Sequence, residues 1–476
     1  MLKGLDVTVL KLSEVREENE KLRIDDGYFA KLPVSTQRQI EALPHVKFGD
    51  ICDVFRKGIF DINADSYTET GVPFVRITNL RDGLIDTNDV AFIPPAAHAA
   101  EGNTALEFGD IVLSKTAYAA ASLVNLPECN VSQDTIAVKL SPEGKKKFKP
   151  GFIVAYLNSR YGLALMTRQF QGNVQSHLSL PDGRKVLIPN FGEKFQIVVD
   201  KALRDANTQL LVAEGKMSEA EATLTDALGL GDWQPPEPLA YTRRASEAFA
   251  AERLDAEHFR ERYAAARQKL VQAGALEFVS FGELAEILTN GHTPLHHDLT
   301  VGEVPFLCAE HITDFECHYD SDKRILLSHH TGELARTAVK SGDILLTIKG
   351  KIGNFAIAEN VPAPVNINQD VALARLNDRL SKWWVVTFLN SRFGKWQAEQ
   401  FCTGGINPFL GLSNVRKLTV PRFPDKLMDR IAETTRVKIQ EARAARARAR
   451  ELLERAKRAV EIAIEHDEKA AMDFLK

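Results

Sequence analysis

No run of about 18 unbroken apolar residues occurs in the chain, so no membrane-spanning helix is expected. Cysteine is scarce. Cys52, Cys129, Cys308, Cys317 and Cys402 are scattered and odd in number, which argues against a disulfide framework and fits free thiols in a reducing cytoplasm. The stretch Met1 to Asp6 lacks the basic-then-apolar layout of a secretory leader. Positive charge is not in excess either: 60 Lys and Arg stand against 64 Asp and Glu, a net of −4. A freely acting nucleic-acid binder is usually basic, so this balance counts against nucleic acid as a partner unless the charge is local. No phosphate loop of the Gly-x4-Gly-Lys-Ser/Thr kind is present. At 476 residues the chain is too long for one ordinary domain and has room for two to four.

What the chain does have is an internal repeat. Slid by about 232 positions, it matches itself. Arg23-Ile-Asp-Asp-Gly-Tyr-Phe29 matches Arg253-Leu-Asp-Ala-Glu-His-Phe259, and Val46 to Asp50 matches Val279 to Glu283. Val72-Pro-Phe74 matches Val304-Pro-Phe306, Gly109 to Leu113 matches Gly342 to Leu346, and Gln133-Asp134 matches Gln369-Asp370. Tyr156-Leu-Asn-Ser-Arg-Tyr-Gly162 matches Phe388-Leu-Asn-Ser-Arg-Phe-Gly394, and Leu178 to Pro189 matches Leu410 to Pro421. Phe191 to Lys194 matches Phe423 to Lys426. The blocks keep their order, which chance would not maintain. A period this long means two copied domains rather than a solenoid.

Each copy predicts an α+β domain of sheet plus helices. Short β-rich runs bounded by Gly, Asp and Pro predict strands at 109–113 and 135–140, and again at 343–348 and 371–376. Helices are expected over 152–170 and 382–401, each followed by a Gly-rich loop at Gly172-Asn173 or Gly404-Gly405. A long helix follows each copy. Phe195, Val199, Ala202, Ala206, Leu210, Ala213, Met217, Ala220 and Leu224 recur at steps of three and four. Ala442, Ala445, Ala449, Leu452, Ala456, Ala459 and Ala463 keep heptad spacing, a small-residue seam that lets another helix approach closely. Gly229 to Pro238 breaks the first long helix, and a further helix is expected over 243–273. The expected organisation is therefore a helical segment at 1–45 and a first domain at 46–190. A helical spacer follows at 191–278, with its linker near 229–242. A second domain at 279–422 and a spacer helix at 423–476 complete it. The two long helices are expected to form an antiparallel, coiled-coil-like separator about 50 Å long, giving the molecule an internal pseudo-twofold repeat.

The ordered blocks resemble the specificity (S) subunit of type I restriction–modification enzymes. The pieces that carry the resemblance begin with Gly342-Asp-Ile-Leu-Leu-Thr-Ile-Lys-Gly-Lys-Ile-Gly353 and Asn366-Ile-Asn-Gln-Asp370. They continue through Phe388 to Ser391, Thr403-Gly-Gly-Ile-Asn407 and Leu412 to Pro421, and end in a long helix. The first copy departs from this pattern, with Ser114-Lys-Thr-Ala-Tyr-Ala-Ala in place of the Lys-Gly-Lys-Ile-Gly loop. The resemblance implies two tandem target recognition domains, each reading one half of a split sequence in double-stranded DNA, with the helices as a ruler. It implies two methyltransferase (M) subunits as partners, carrying S-adenosylmethionine and methylating adenine at N6, and a motor–nuclease (R) subunit for cleavage. This chain would itself be a non-catalytic, cytoplasmic protein with no cofactor or metal and no membrane partner. The other reading of the residues is a duplicated protein-interaction scaffold without DNA specificity, which the acidic balance favours.

Candidate DNA contacts are polar residues on the Gly-rich loops. In the first copy they are Lys115, Tyr118, Gln133, Asn173, Gln175 and His177; in the second, Lys349, Lys351, Asn368, Gln369, Thr403 and Asn407. Asn and Gln can grip adenine edge-on, and Lys can reach guanine O6 or a phosphate. Gly350 and Gly353 would let the backbone approach DNA. The bland alternative for each is a solvated loop, and Gln133 and Gln369 are as well suited to bracing the sheet. Arg443, Arg446, Arg448 and Arg450 are expected on a charged helix face that meets an M subunit. Cys308-x-x-His311 followed by Cys317-His318 is a weak zinc pattern that the first copy lacks. Asn407-Pro-Phe409 lacks the second proline of an adenine-methyltransferase signature, and Pro181-Asp182 has no correctly spaced acidic-x-Lys pair of a nuclease.

Overall fold

β-branched runs between Gly, Asp and Asn become strands in both copies, in the same order. The structure is a computed structural model. It describes all residues except 1–7, 17–22, 24, 63–65, 82, 173–175 and 406. It divides into two units, Met1–Val212 with Ala444–Lys476, and Ala213–Arg443. The architecture is α+β, with mixed sheets and helices in both.

In the first unit, Ile111–Ser114 pairs antiparallel with Thr135–Leu140 in the register Thr135 with Ser114 and Val138 with Ile111. Cys52–Lys57 flanks Thr135–Leu140, and Ala121–Leu123 extends the other edge toward Leu84–Ile85 and Leu80–Arg81. Val72–Val75 lies parallel to Glu128–Val131 in a second sheet. The second unit repeats the plan. Ile344–Thr347 pairs antiparallel with Val371–Leu376, which pairs with Ala285–Asn290, while Phe355–Ile357 forms the edge. Val304–Leu307 lies parallel to Asn366–Ile367. The strands expected at 135–140 and 371–376 are present, and those expected at 109–113 and 343–348 are observed as Ile111–Ser114 and Ile344–Thr347.

The single helices expected over 152–170 and 382–401 are each two helices. Pro150–Leu157 is followed by Arg160–Gln169, and Lys382–Asn390 by Arg392–Phe401. The repeated Leu-Asn-Ser-Arg-aromatic-Gly block makes the break. The Asn158 side chain accepts from the Ala121 N–H at 3.1 Å and donates to the Ala121 carbonyl at 2.6 Å, and Asn390 does the same to Phe355 at 2.9 and 2.7 Å. Ser159 then caps the second helix by accepting from Gly162 N–H at 3.3 Å. A Cβ on Gly162 or Gly394 would overlap the carbonyl oxygen of Tyr156 or Leu389, so the tight corner admits only glycine.

The helix expected over 243–273 is also broken, into Ala245–Ala251, a short 3-10 turn at Ala256–Phe259, and Glu261–Gln272. Glu252 adopts a left-handed conformation, and Arg253 leaves helical geometry to reach elsewhere. Its guanidinium donates to the carbonyls of Gln400 and Cys402 at 3.3 and 2.9 Å, capping the end of Arg392–Phe401, while pairing with Asp255 at 2.7 Å. Arg23 performs the same task on Arg168 and Phe170. The guanidinium beside each holds the Asp25 and Asp255 carboxyls below the usual carboxylate range.

Two long helices complete the chain, Glu193–Ala227 of 35 residues and Asp425–Glu465 of 41. Each begins in one unit and ends in the other. Inside the second unit their segments run antiparallel, with Lys216 on Glu441 and Lys438 on Glu219, both at 3.1 Å. Small residues form the seams: Ala449, Ala456, Ala459 and Ala463 are buried in the core of the first unit, Ala220 and Leu224 in that of the second. Residues 228–244 hold neither helix nor strand, but Trp233 stacks on Phe393 at 6.0 Å and so pins this segment within its unit. Arg443, expected on a partner-facing surface, turns inward instead. It pairs with Glu316 at 3.2 Å and Glu359 at 2.5 Å, because Glu316 is buried and needs a cation.

Candidate nucleic-acid interface

In the second unit, loop 348–354 joins Ile344–Thr347 to Phe355–Ile357. Two other segments are laced to it by main-chain hydrogen bonds. Ile348 N–H donates to the Asp370 carbonyl at 2.9 Å, and Leu410 N–H donates to the Ile348 carbonyl at 2.9 Å. Thr403 and Phe409 exchange hydrogen bonds at 2.9 and 2.7 Å, and Phe409 also bridges to Lys349. A fourth segment crosses here. A Cβ on Gly291 would overlap the Ile367 and Asn368 carbonyl oxygens, so only glycine lets the end of Ala285–Asn290 pass under the 367–370 turn. Gly350 and Gly353 have φ of +72° and +82°. Gly353 packs so closely on Ala398 that its place is set by packing, whereas Gly350 faces open space.

The first unit builds the same cluster. Lys115 N–H donates to the Asp134 carbonyl at 2.8 Å, and Leu178 N–H donates to the Lys115 carbonyl at 2.7 Å. Thr116 bridges to His177 as Lys349 does to Phe409, and Gly58 passes under the Val131 and Ser132 carbonyls as Gly291 passes under those of Ile367 and Asn368. The hydrogen bonds therefore equate Asp134 with Asp370, and the glycines equate residue 60 with residue 293.

Lys349 is half exposed, 3.9 Å from Asp370 and 5.5 Å from the Phe409 ring centre. Lys351, Thr403 and Asn407 are exposed on the same loops, with the Thr403 hydroxyl donating to the Phe409 carbonyl at 3.1 Å. Gln369 accepts from the Thr293 hydroxyl at 2.7 Å. Asn368 is 5% exposed and turned inward: its amide accepts from Asp370 N–H at 3.0 Å and donates to the Asp370 carboxylate at 2.8 Å. Asn368 thus braces the turn that presents Gln369.

In the first unit, Lys115 is half-buried, and burial together with the nearby Lys57 ammonium pulls its pKa down against the opposing pull of Asp134. Tyr118 is 43% exposed and donates its hydroxyl to the Ile77 carbonyl at 2.9 Å. His177 is exposed; Gln133 is half-buried and has no hydrogen-bond partner among the described residues. Asn173 and Gln175 lie outside the described residues. Lys115, Tyr118, Gln133 and His177 thus gather on one loop cluster, as do Lys349, Lys351, Gln369, Thr403 and Asn407 on the other.

Residues that position the cluster escaped the sequence reading. A buried Thr–Asn–His network recurs in both units. Thr104 donates to Asn130 at 2.7 Å, with His98 Nδ1 3.4 Å from the Asn130 amide nitrogen; Thr337 donates to Asn366 at 2.7 Å, with His330 Nδ1 3.1 Å away. Each asparagine sits at the end of the strand that leads into the Gln133 or Gln369 turn. Gly58 and Gly291 fall within the register of the repeat, so asking which glycines recur would have found them.

Cys308, Glu310 and His311 bring their ligand atoms within 4.8 Å of one another. The positive charge among them is Lys323, whose ammonium lies 3.4 Å from Cys308 Sγ and 2.7 Å from Glu310. His311 Nδ1 accepts from the Cys308 N–H at 3.1 Å, where Asn79 accepts from Arg76 in the first unit, so His311 caps a turn.

No protein-family model matches the chain, and no curated protein does. Among solved structures, one similar chain is the type I restriction–modification S subunit from M. genitalium, at 11% identity and a TM-score of 0.40, covering 87% of this chain and 94% of that one. A chain described under complex assembly and conformational transition of the type I R-M system has 16% identity and a TM-score of 0.30, over 89% and 99%. The HsdS subunit from Thermoanaerobacter tengcongensis has 16% identity and a TM-score of 0.29, over 89% and 96%. At TM-scores this low the likeness carries no argument about function.

Proposed function

We propose that this chain is a non-catalytic DNA-specificity subunit of a type I restriction–modification complex. Each loop cluster reads one half of a bipartite duplex target. The long helices set the spacing of the halves and dock two M subunits, which hold S-adenosylmethionine and methylate adenine at N6; an R subunit joins them for cleavage in the cytoplasm. One observation carries this reading. The two clusters share their backbone hydrogen bonds and their crossing glycines, yet differ in the side chains they offer. Thr116 stands where Lys349 does, His177 where Phe409 does, and Phe60 where Thr293 does. A common frame with different polar groups is what two readers of unlike half-sites require, since base edges are distinguished by side chains.

The net charge of −4 favours the second reading, a scaffold that binds protein only. Co-expression with an M subunit and genome-wide mapping of methylated adenines separates the two. A split motif is expected, and exchanging residues 46–190 for those of another such chain should change one half of it alone. A motif untouched by the exchange, or no methylation at all, would overturn the DNA-specificity reading.

A further inference from the structure

Phe60 and Thr293 occupy equivalent places, each two residues beyond the glycine that passes beneath the recognition turn. Their consequences for the glutamine on that turn are opposite. The Thr293 hydroxyl donates to the Gln369 carbonyl oxygen at 2.7 Å, which fixes the long side chain in one rotamer. Phe60 has no hydroxyl to offer. It is 65% exposed, with the Lys57 ammonium 4.6 Å from its ring centre, and Gln133 is left without a partner among the described residues.

We propose that position 60/293 determines specificity in each recognition cluster by setting how the glutamine at 133/369 is presented, with Thr293 as the positioning residue for Gln369. The inference rests on the DNA-specificity reading above. With one lone pair of its carbonyl engaged by Thr293, Gln369 is oriented to offer its amide NH2 as donor to a base acceptor. Its rotamer freedom is already spent before DNA arrives, so it discriminates sharply. Gln133 has no such tether among the described residues. It keeps both ends of its amide for a paired donor–acceptor grip on adenine, or shifts to tolerate another base. Phe60 beside it supplies an exposed apolar ring suited to a thymine methyl or a sugar. The second half-site should therefore contain one strictly required base that depends on Thr293, and the first should be more tolerant at the matching place.

Selection of duplexes from a random pool by the full chain, followed by affinity measurements on every single-base variant of the selected site, provides the test. Thr293→Val keeps the shape of the side chain and removes the hydroxyl. It should lower discrimination about tenfold at one base pair of one half-site and leave the other half unchanged. Thr293→Ser should keep the wild-type profile, which a purely structural role for the threonine methyl would not predict. Phe60→Thr should sharpen or change preference at one base pair of the opposite half, and it carries the test should Thr293→Val fail to fold. Wild-type discrimination in Thr293→Val, or in Phe60→Thr if that variant alone folds, would overturn the inference while leaving the DNA-specificity reading standing. Failure of the wild-type chain to select any sequence would instead remove that reading.

Discussion

Arg443 reaches two acidic side chains and the Phe315 carbonyl from one helix position, and Glu316, at 6% exposure, depends on it most. Removing the guanidinium takes an ion-pair partner from a carboxylate that is held out of water. Arg443→Ala should destabilise the second unit by about 2 kcal/mol, below the 3–5 seen for fully buried pairs because Arg443 itself keeps some solvent. Denaturant midpoints measure it, and a loss of a few tenths would mean that the other contacts of Glu316 suffice to hold it. His330 gives a second residue-scale expectation. Burial pulls its pKa below the ordinary 6.5, as it does for His311. The unfolded chain then binds protons more readily than the folded one. The neutral ring's stabilisation is complete above about 6.5 and is lost as the pH falls through the lower folded value. Urea midpoints should fall between about pH 7.5 and 5.5, and less steeply in His330→Gln. Equal slopes in wild type and variant would refute this.

Among the elements, the paired short helices of each unit are tied to a strand of the sheet by one asparagine. Asn390 is buried and satisfies both the N–H and the carbonyl of Phe355. Asn390→Ala should cost roughly 2 kcal/mol by leaving those groups unpaired, and it should speed amide exchange at Phe355. Unchanged exchange there would mean that the strand does not rely on it. The same residue shows what periodicity missed. Apolar spacing runs smoothly through 382–401, so the sequence reads as one helix. The asparagine leaves the helical pattern because a strand distant in sequence offers it two buried partners. Arg253 breaks the helix expected over 243–273 for a related reason: its hydrogen-bond partners, at 400 and 402, lie far along the chain. The strands at 135–140 and 371–376 were legible because short β-rich runs and flanking Gly, Asp and Pro are local signals.

For the whole molecule, if the proposed DNA-specificity role holds, near-balanced charge would make non-specific attraction to duplex DNA weak, and affinity would come from engaging both halves of a target together. Duplexes with a single half-site should bind at least about a hundredfold more weakly than the intact site, the ordinary gain from linking two contacts. Inserting about five base pairs between the halves should lose as much, because half a helical turn carries one of them to the opposite face. Equal binding of single and double sites would argue for one reading unit, not two.

The duplication, the α+β class, the alanine seams of the long helices and the loops that carry the candidate contacts were all determined by sequence alone. Each is written in local pattern or in the comparison of the chain with itself. Tertiary structure decided what each loop residue faces. It turned Asn368 inward to brace a turn, paired Arg443 with a buried glutamate and joined Thr293 to Gln369, while Phe60, at the equivalent place, offers Gln133 no hydroxyl. These outcomes depend on segments dozens of residues apart meeting at hydrogen-bond distance, and on buried polar groups finding partners wherever the fold supplies them.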